Sequence, residues 1–255
     1  MPGTIQSVER AAAILRLLAG GSRRLRLGDL AQTLGLAKPT AHGLLRTLQQ
    51  EGFVEQDPAT GEYQLGAELL RLGNSYLDIH ELRSRALVWA DDLARQTGES
   101  VRIGVQHAGG VLVVHHVFRP DDSRQMLEVG AMLPLHSTAW GKVLLAHDPA
   151  ARLDLDDDLK AYTRHTVVDR GALEAEIATV RERGWAGDIE ETVDGIASIA
   201  ALIVDGRQVP LGAVGIRGAL ERMTVDGEFK PALIAAVRDA SRAISRDFGA
   251  GRLTL

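Results

Sequence analysis

Between Gly35 and Gly52 the chain places Ala41, Leu44, Leu45 and Leu48 at i, i+3, i+4 and i+7, with Pro39 near the start. That spacing predicts one buried stripe on a short helix. Proline is tolerated in a first turn, and glycine ends a helix where a left-handed residue costs nothing sterically. Just upstream, Leu27, Leu30, Ala31 and Leu34 predict a second short helix over Leu27–Leu34, turned by Gly35. A first helix carries Val8, Ala11, Ile14, Leu15 and Leu18, with Ser7 as the expected N-cap and Gly20-Gly21 as the stop. After Gly52, Phe53-Val54-Glu55 and Tyr63-Gln64-Leu65 read as strands around the turn signal Asp57-Pro58-Ala59-Thr60-Gly61. Three short helices followed by a hairpin make a winged helix-turn-helix.

The rest of the 255 residues is organised differently. From Ala67 to about Leu82 the pattern is helical, with Leu69, Leu72 and Tyr76 on one side and Leu70 and Leu77 beside them, and reads as a linker helix. A further helix carries Leu82, Ala86, Trp89, Ala90 and Leu93 and ends at Gly98. Alternation follows: Val101, Ile103 and Val105 against Arg102 and Gly104, then Val111–Phe118 after a Gly109-Gly110 turn. Ile199–Val204 and Leu211–Ile216 form a second strand pair through Asp205-Gly206. Helices are expected over Trp140–Ala146, Leu173–Arg183 and Pro231–Phe248, the last burying Leu233, Val237, Ala240, Ile244 and Phe248. Helices flanking a mostly antiparallel sheet give an α+β fold. The expected division is 1–66 for DNA binding, 67–80 for the linker helix and 81–250 for the second domain.

Composition narrows the chemistry. There is no cysteine, which excludes disulfides, thiolate zinc sites and cysteine nucleophiles. Only 4% of residues are aromatic, so the cores must be aliphatic. No apolar run is long enough to span a bilayer, and Met1-Pro2-Gly3-Thr4 does not open a secretory signal, so a cytoplasmic protein without a membrane partner is expected. The net charge of −5 hides an asymmetry. Through Gly66 there are seven basic and six acidic residues, against 22 and 28 in the remainder. Within the first segment the positive residues lie at or before Arg46 and most acids follow residue 50. Charge permits a DNA-facing surface there without establishing one.

With its apolar stripe buried, the third helix presents Lys38, Pro39, Thr40, His42, Gly43, Arg46 and Thr47. Arg46 suits a guanine edge or a phosphate, Thr40 a thymine methyl or a phosphate, and His42 a base acceptor. Gly43 lets the backbone approach, and the helix start near Pro39 favours phosphate. Any solvent-facing helix is polar, and it is the full arrangement of helices, turn and hairpin that points to double-stranded operator DNA. The wing offers less. Its tip lacks Arg and Lys, and Glu55, Asp57 and Glu62 would be repelled by phosphate.

Particular stretches carry a resemblance. Leu36-Ala37-Lys38-Pro39-Thr40-Ala41-His42-Gly43-Leu44-Leu45, with Leu48, Glu51-Gly52-Phe53-Val54 and Tyr63-Gln64-Leu65-Gly66, resembles the IclR family of bacterial transcription regulators. Pro134-Leu135-His136-Ser137-Thr138-Ala139 with Gly141-Lys142 is similar to its ligand-loop motif. Gly184, Asp188, Glu191, Ser198, Ile199, Ala200, Ile203 and Asp205 match its C-terminal signature in spacing. Val204 departs, standing where an aromatic or His is usual, and Leu202 replaces a common Pro. The resemblance implies a GAF-like effector domain, a homodimer or dimer of dimers, and no cofactor. It also implies an effector pocket edged by the backbone N–H groups of Ala139 and Trp140 and lined by Asp188, Ser198, Gly215 and Arg217, with Asp122 and Gln125 nearby. Val117-Phe118-Arg119-Pro120-Asp121-Asp122-Ser123-Arg124-Gln125 and Glu190-Glu191-Thr192 are most similar to family members that govern glycerol use. That narrower likeness implies glycerol 3-phosphate as effector, with another catabolic operon and a small carboxylate as the alternative. Arg217 would then pair with the phosphate, or else with Asp188 or solvent.

Other signals point to structure. His115 and His116 are strand neighbours on opposite faces, and with His107 and His136 they do not form a converging metal site. Gly141-Lys142 lacks the glycine spacing and following Ser/Thr of a phosphate loop. Gly212, Gly215 and Gly218 do not have dinucleotide-site spacing, and Ser137 beside His136 is not a triad, whose logic is spatial. A catalytic second domain with a merely recruiting first one is the competing class. Without an assembled nucleophile, base or metal set, a binding protein that is not an enzyme is expected.

Overall fold

The computed structural model describes residues 5–20, 24–74, 77–121, 125–156 and 158–249. The chain divides into two compact units, Met1–Leu77 and Asp78–Leu255. The first contains helices α1 (Gln6–Ala19), α2 (Leu27–Thr33) and α3 (Lys38–Gln50), strands β1 (Val54–Gln56) and β2 (Tyr63–Leu65), and helix α4 (Ala67–Asn74). Ile14, Leu18, Leu30, Leu45, Leu48, Val54 and Tyr63 form its core.

Two glycines set its angles. Gly35, at φ +61, closes α2 with its own N–H on the Gln32 carbonyl and that of Leu36 on Ala31. Gly52, at φ +73, repeats the pattern after α3, with its N–H on Gln49 and that of Phe53 on Leu48. Both are Schellman closures, which need a left-handed residue. The hairpin pairs Val54 with Leu65, and Leu25 bridges to Tyr63 to tie the α1–α2 connection to the wing. Ser7 is not the N-cap. The helix starts two residues earlier than that cap implies, at Gln6, and the Ile5 carbonyl accepts from Val8 and Glu9. Pro39 is the second helical residue, where its missing N–H is still harmless.

The second unit is built on a six-stranded sheet of order β5-β4-β3-β8-β7-β6, antiparallel throughout. In chain order its elements are α5 (Leu77–Thr97), β3 (Ser100–His107), β4 (Gly110–Val117), β5 (Met132–Pro134), α6 (Ala139–His147), α7 (Pro149–Leu153), α8 (Arg170–Arg183), β6 (Ala186–Ile189), β7 (Ile196–Val204), β8 (Pro210–Ala219), α9 (Leu220–Met223), β9 (Thr224–Val225), β10 (Glu228–Phe229) and α10 (Pro231–Asp247). On one face, Leu82, Ala86, Ala90 and Leu93 of α5 and Val237 and Ile244 of α10 pack on Val101, Ile103, Ile199, Ile203, Val214 and Ile216. On the other, Trp140, Leu144, Leu173, Ile177 and Val180 of α6 and α8 cover Val111, Ala186, Ala200 and Ala213. Both faces are therefore covered, and the α+β reading stands.

Several boundaries differ from expectation. Helical residues are described over Ala67–Asn74 and over Leu77–Thr97, so the helix carrying Leu82–Leu93 extends back at least to Leu77. The β3–β4 turn is Ala108-Gly109, at φ 43 and 78, and Gly110 is already a paired strand residue opposite His107. Positive φ at both central positions matches a two-residue hairpin turn. The β7–β8 connection is longer than Asp205-Gly206 alone and runs to Val209, with Asp205 accepting from Arg207 and Val209 N–H groups at 2.8 Å each.

At Gly141 the backbone of α6 lies so close to the segment after β5 that an added Cβ would fall 2.1 Å from the Leu135 carbonyl oxygen. Gly141→Ala is expected to destabilise the second unit by ~1–3 kcal/mol, the usual range for overpacking, read as a lowered unfolding midpoint in urea.

Candidate nucleic-acid interface and anion cavity

In α3, Ala41, Leu45 and Leu48 are buried and Leu44 is half-buried. All seven candidate DNA residues, Lys38, Pro39, Thr40, His42, Gly43, Arg46 and Thr47, are exposed on the opposite side. Thr47 returns its hydroxyl to the Gly43 carbonyl at 3.1 Å, so that group is engaged within the helix. A Cβ at Gly43 would meet nothing within 4 Å. In the wing, Arg24 pairs with Asp57 at 3.3 Å and Arg26 lies 3.8 Å from Glu62. Asp57 also accepts the Ala59 N–H, which with the Thr60 N–H and Arg24 holds its carboxyl below the ordinary value. The wing acids are thus partly neutralised from within the unit.

In the second unit, strand register assembles a polar end on the α6 face of the sheet. One cross-strand row joins Ser100, Arg217, Ser198 and Asp188, and the next joins His116, Arg102, Gly215 and Ala200. Residues two apart on a strand share a face, so both rows look the same way. Beside them lies a cavity of about 500 Å³ whose wall includes Arg102, His116, Arg119, Gln125, Glu128, Arg217 and Arg222.

The expected effector residues divide into two groups there. Arg217 and Gln125 line the cavity. Ala139, Asp188 and Ser198 form a separate buried cluster, in which Asp188 accepts the Ala139 N–H at 3.3 Å and the Ser198 hydroxyl. The Ala139 amide is therefore already engaged by a carboxylate. Burial pushes the Asp188 carboxyl up, against the Ser198 and Ala139 hydrogen bonds and the nearby Lys142 and Arg217. Trp140 donates its indole N–H to the Arg102 carbonyl at 3.0 Å, and the Arg102 guanidinium lies 5.7 Å from its ring centre. Gly215 sits where a Cβ would come 2.3 Å from the Ile199 oxygen. Gln125 spends its carboxamide on the backbone of Arg119, accepting its N–H at 2.7 Å and donating to its carbonyl at 2.9 Å. Asp122 lies outside the described residues.

Among the described residues, the ion-pair partner of Arg217 is not Asp188 but Glu128, at 3.8 Å. Sequence reasoning missed Arg102, His116, Glu128, Glu99 and Arg222. Arg102 is 4% exposed and ion-paired with Glu128. Burial pulls its guanidinium down to about 10, Glu128 opposes that, and Arg217 adds to it. Arg222 grips Glu99 with two hydrogen bonds of 2.6 and 2.9 Å. Gly218 makes room for this pair, since a Cβ there would fall 2.2 Å from Glu99. The one available signal was a charged residue inside the apolar run Val101–Val105, and its weight depends on that strand being central.

The remaining motif residues have structural partners. Lys142 is fully buried, with Nζ on Glu176 at 2.8 Å and on Glu191. His136 is 3.0 Å from the Lys160 carbonyl and stacks on Tyr162, and the buried Ser137 hydroxyl makes no hydrogen bond to it. Among the described residues, no cluster of three or more His, Asp or Glu could hold a metal, and no helix is long and apolar enough to cross a membrane.

An exposed recognition-type helix in one unit, and in the other an arginine-walled cavity, define a DNA-binding transcription regulator. Residues 7–58 match the IclR helix-turn-helix domain and residues 74–246 match the family described as bacterial transcriptional regulator IclR C-terminal. The chain belongs to the IclR family. It is 67% identical over 253 residues to the glycerol operon regulatory protein of Streptomyces coelicolor, covering 99% of this chain and 100% of the relative. It is 62% identical, with the same coverage, to the protein of that name from Streptomyces griseus. The crystal structure of an IclR transcriptional regulator from Alicyclobacillus acidocaldarius superposes with a TM-score of 0.79 at 27% identity, covering 96% of this chain and 99% of that one.

Burial pushes Glu191 up to about 7, although Lys142 opposes the shift. A raised acid keeps its proton in the folded state after the unfolded chain has lost it, so stability falls as pH rises from the ordinary carboxylate value to about 7. Thermal unfolding is expected to show the wild type losing stability over that window. Glu191→Gln, which has no proton to release, should flatten the decline.

Proposed function

We propose that this chain is the repressor of a glycerol catabolic operon, reading operator DNA through α3 and answering to glycerol 3-phosphate. The observation that carries this reading is the whole-length 67% identity to a glycerol operon regulatory protein. The chemistry of the cavity agrees with it. Guanidinium groups bind phosphate bidentately, and a cavity of about 500 Å³ is within the range of small-ligand sites. In this reading residues 1–66 bind DNA, 67–80 link, and 81–250 bind effector, with Arg217 on the phosphate.

The protein acts as a homodimer or dimer of dimers. Two α3 helices enter successive major-groove half-sites about one helical turn apart, as helix-turn-helix dimers commonly do. Lys38, Thr40 and the start of α3 hold phosphates, while His42 and Arg46 face base edges and Gly43 permits the close approach. Effector binding alters the α4 connection and hence the spacing of the paired heads.

Two substitutions on α3 test the DNA half. Arg46→Ala should cost roughly 1–3 kcal/mol of operator affinity if it reads a base. Gly43→Ala should separate stability from function. An exposed helical alanine stabilises by roughly 0.5–1 kcal/mol relative to glycine, so the melting temperature rises while the added methyl weakens operator binding in a mobility-shift titration. For the effector half, calorimetric titration with glycerol 3-phosphate should show binding to the wild type and a loss of at least roughly tenfold in Arg217→Ala, about the worth of one charge-assisted contact. Unchanged affinity would remove Arg217 from the site.

A further inference from the structure

Among the described residues lining the cavity, four arginines stand against two carboxylates. Arg102 and Arg217 share a single carboxylate, that of Glu128, whereas Arg222 has Glu99 to itself. The Arg102 Nε–H is buried without a hydrogen-bond partner. His116, 8% exposed, accepts the Glu128 backbone N–H at Nδ1 over 3.2 Å. A neutral imidazole that accepts at one nitrogen carries its proton on the other, so Nε2 is a donor. That nitrogen is also buried without a partner. Buried donors left without acceptors are costly in a native structure and mark a place where an acceptor belongs.

We propose that Glu128 is a built-in stand-in for the effector's anion: its carboxylate occupies the Arg102–Arg217 subsite, and a phosphate monoester dianion binds by displacing it. The incoming phosphate takes both guanidinium groups together with the His116 Nε2–H. Three oxygens serve three donor groups that one carboxylate leaves partly unsatisfied. Displacement also sets selectivity. A neutral polyol offers no charge to replace that of Glu128, and a monocarboxylate only repeats it, whereas a dianion brings more charge and more acceptor oxygens to the same arginines. This inference rests on reading the cavity as an effector site and adds the residue that makes the site choose a phosphate.

The full-length protein is titrated by calorimetry with glycerol 3-phosphate, glycerol and inorganic phosphate, as wild type and as Glu128→Gln. Melting temperatures confirm that both are folded. Removing a like charge beside the bound anion should tighten glycerol 3-phosphate by roughly tenfold and make inorganic phosphate binding measurable, with glycerol unaffected. A purely structural Glu128 predicts the reverse, because its loss would disorder the arginines and weaken every anion. Glu128→Asp, which keeps the charge but shortens its reach, should fall between the two and replaces the amide if that variant does not fold. If the wild type ignores glycerol 3-phosphate while Glu128→Gln gains inorganic phosphate, the stand-in holds and the effector's identity fails. If neither substitution tightens either phosphate ligand, the proposal is overturned.

Discussion

Antiparallel register is the constraint on which the second unit depends. A one-residue slip between any two of the strands β3, β8, β7 and β6 would turn the side chains of one to the opposite face. Arg102, Arg217, Ser198 and Asp188 would then no longer lie together, and the apolar residues alternating with them would meet the wrong helices. The alternation Val101, Ile103 and Val214, Ile216 locks that register by filling one face with aliphatic side chains under α5 and α10. The polar end of the other face follows from it. A covered sheet with charges at one end of one face is a rigid wall against which a small ligand can be held.

The charges on that wall are balanced in different ways. Glu99 and Arg222 satisfy one another through two hydrogen bonds. Lys142 is enclosed by two acids, one of which, Glu191, is held up to about 7, so Lys142 and Glu176 alone leave a neutral group when Glu191 is protonated. Asp188 has the Ser198 hydroxyl and the Ala139 amide. Among the described residues, the Arg102–Arg217 pair has one carboxylate between two guanidinium groups. Buried ion pairs are costly when incomplete, which is why an incomplete one beside a cavity speaks for a ligand.

Much of the first unit was legible in the chain because its signals are local. Gly35 and Gly52 end helices by a mechanism that needs only neighbouring residues, and the α3 stripe divides that helix into a buried and an exposed side within four turns. The Ser7 cap was misplaced because α1 begins at Gln6 without any side-chain cap, which leaves no local signal at Ile5 to read. In the second unit the long helices and the two long hairpins were readable. The short strands β5 and β6 were not, since three or four residues carry no period and owe their state to the neighbours they pair with. The cavity was legible only through Arg217 and Gln125. Arg102, His116 and Glu128 come from two strands and a loop that no local pattern joins, and Gln125 itself is spent on the Arg119 backbone.

If the proposed function holds, the two units are coupled, and occupancy of the arginine wall changes how α3 meets DNA. Linked sites of this kind typically shift one another's affinity by about 5–150-fold. The direct measurement is the fluorescence anisotropy of labelled operator DNA titrated with the full-length protein, with and without saturating glycerol 3-phosphate. The apparent dissociation constant is expected to change by a factor of that order; identical titration curves with the ligand demonstrably bound would show the units to be uncoupled.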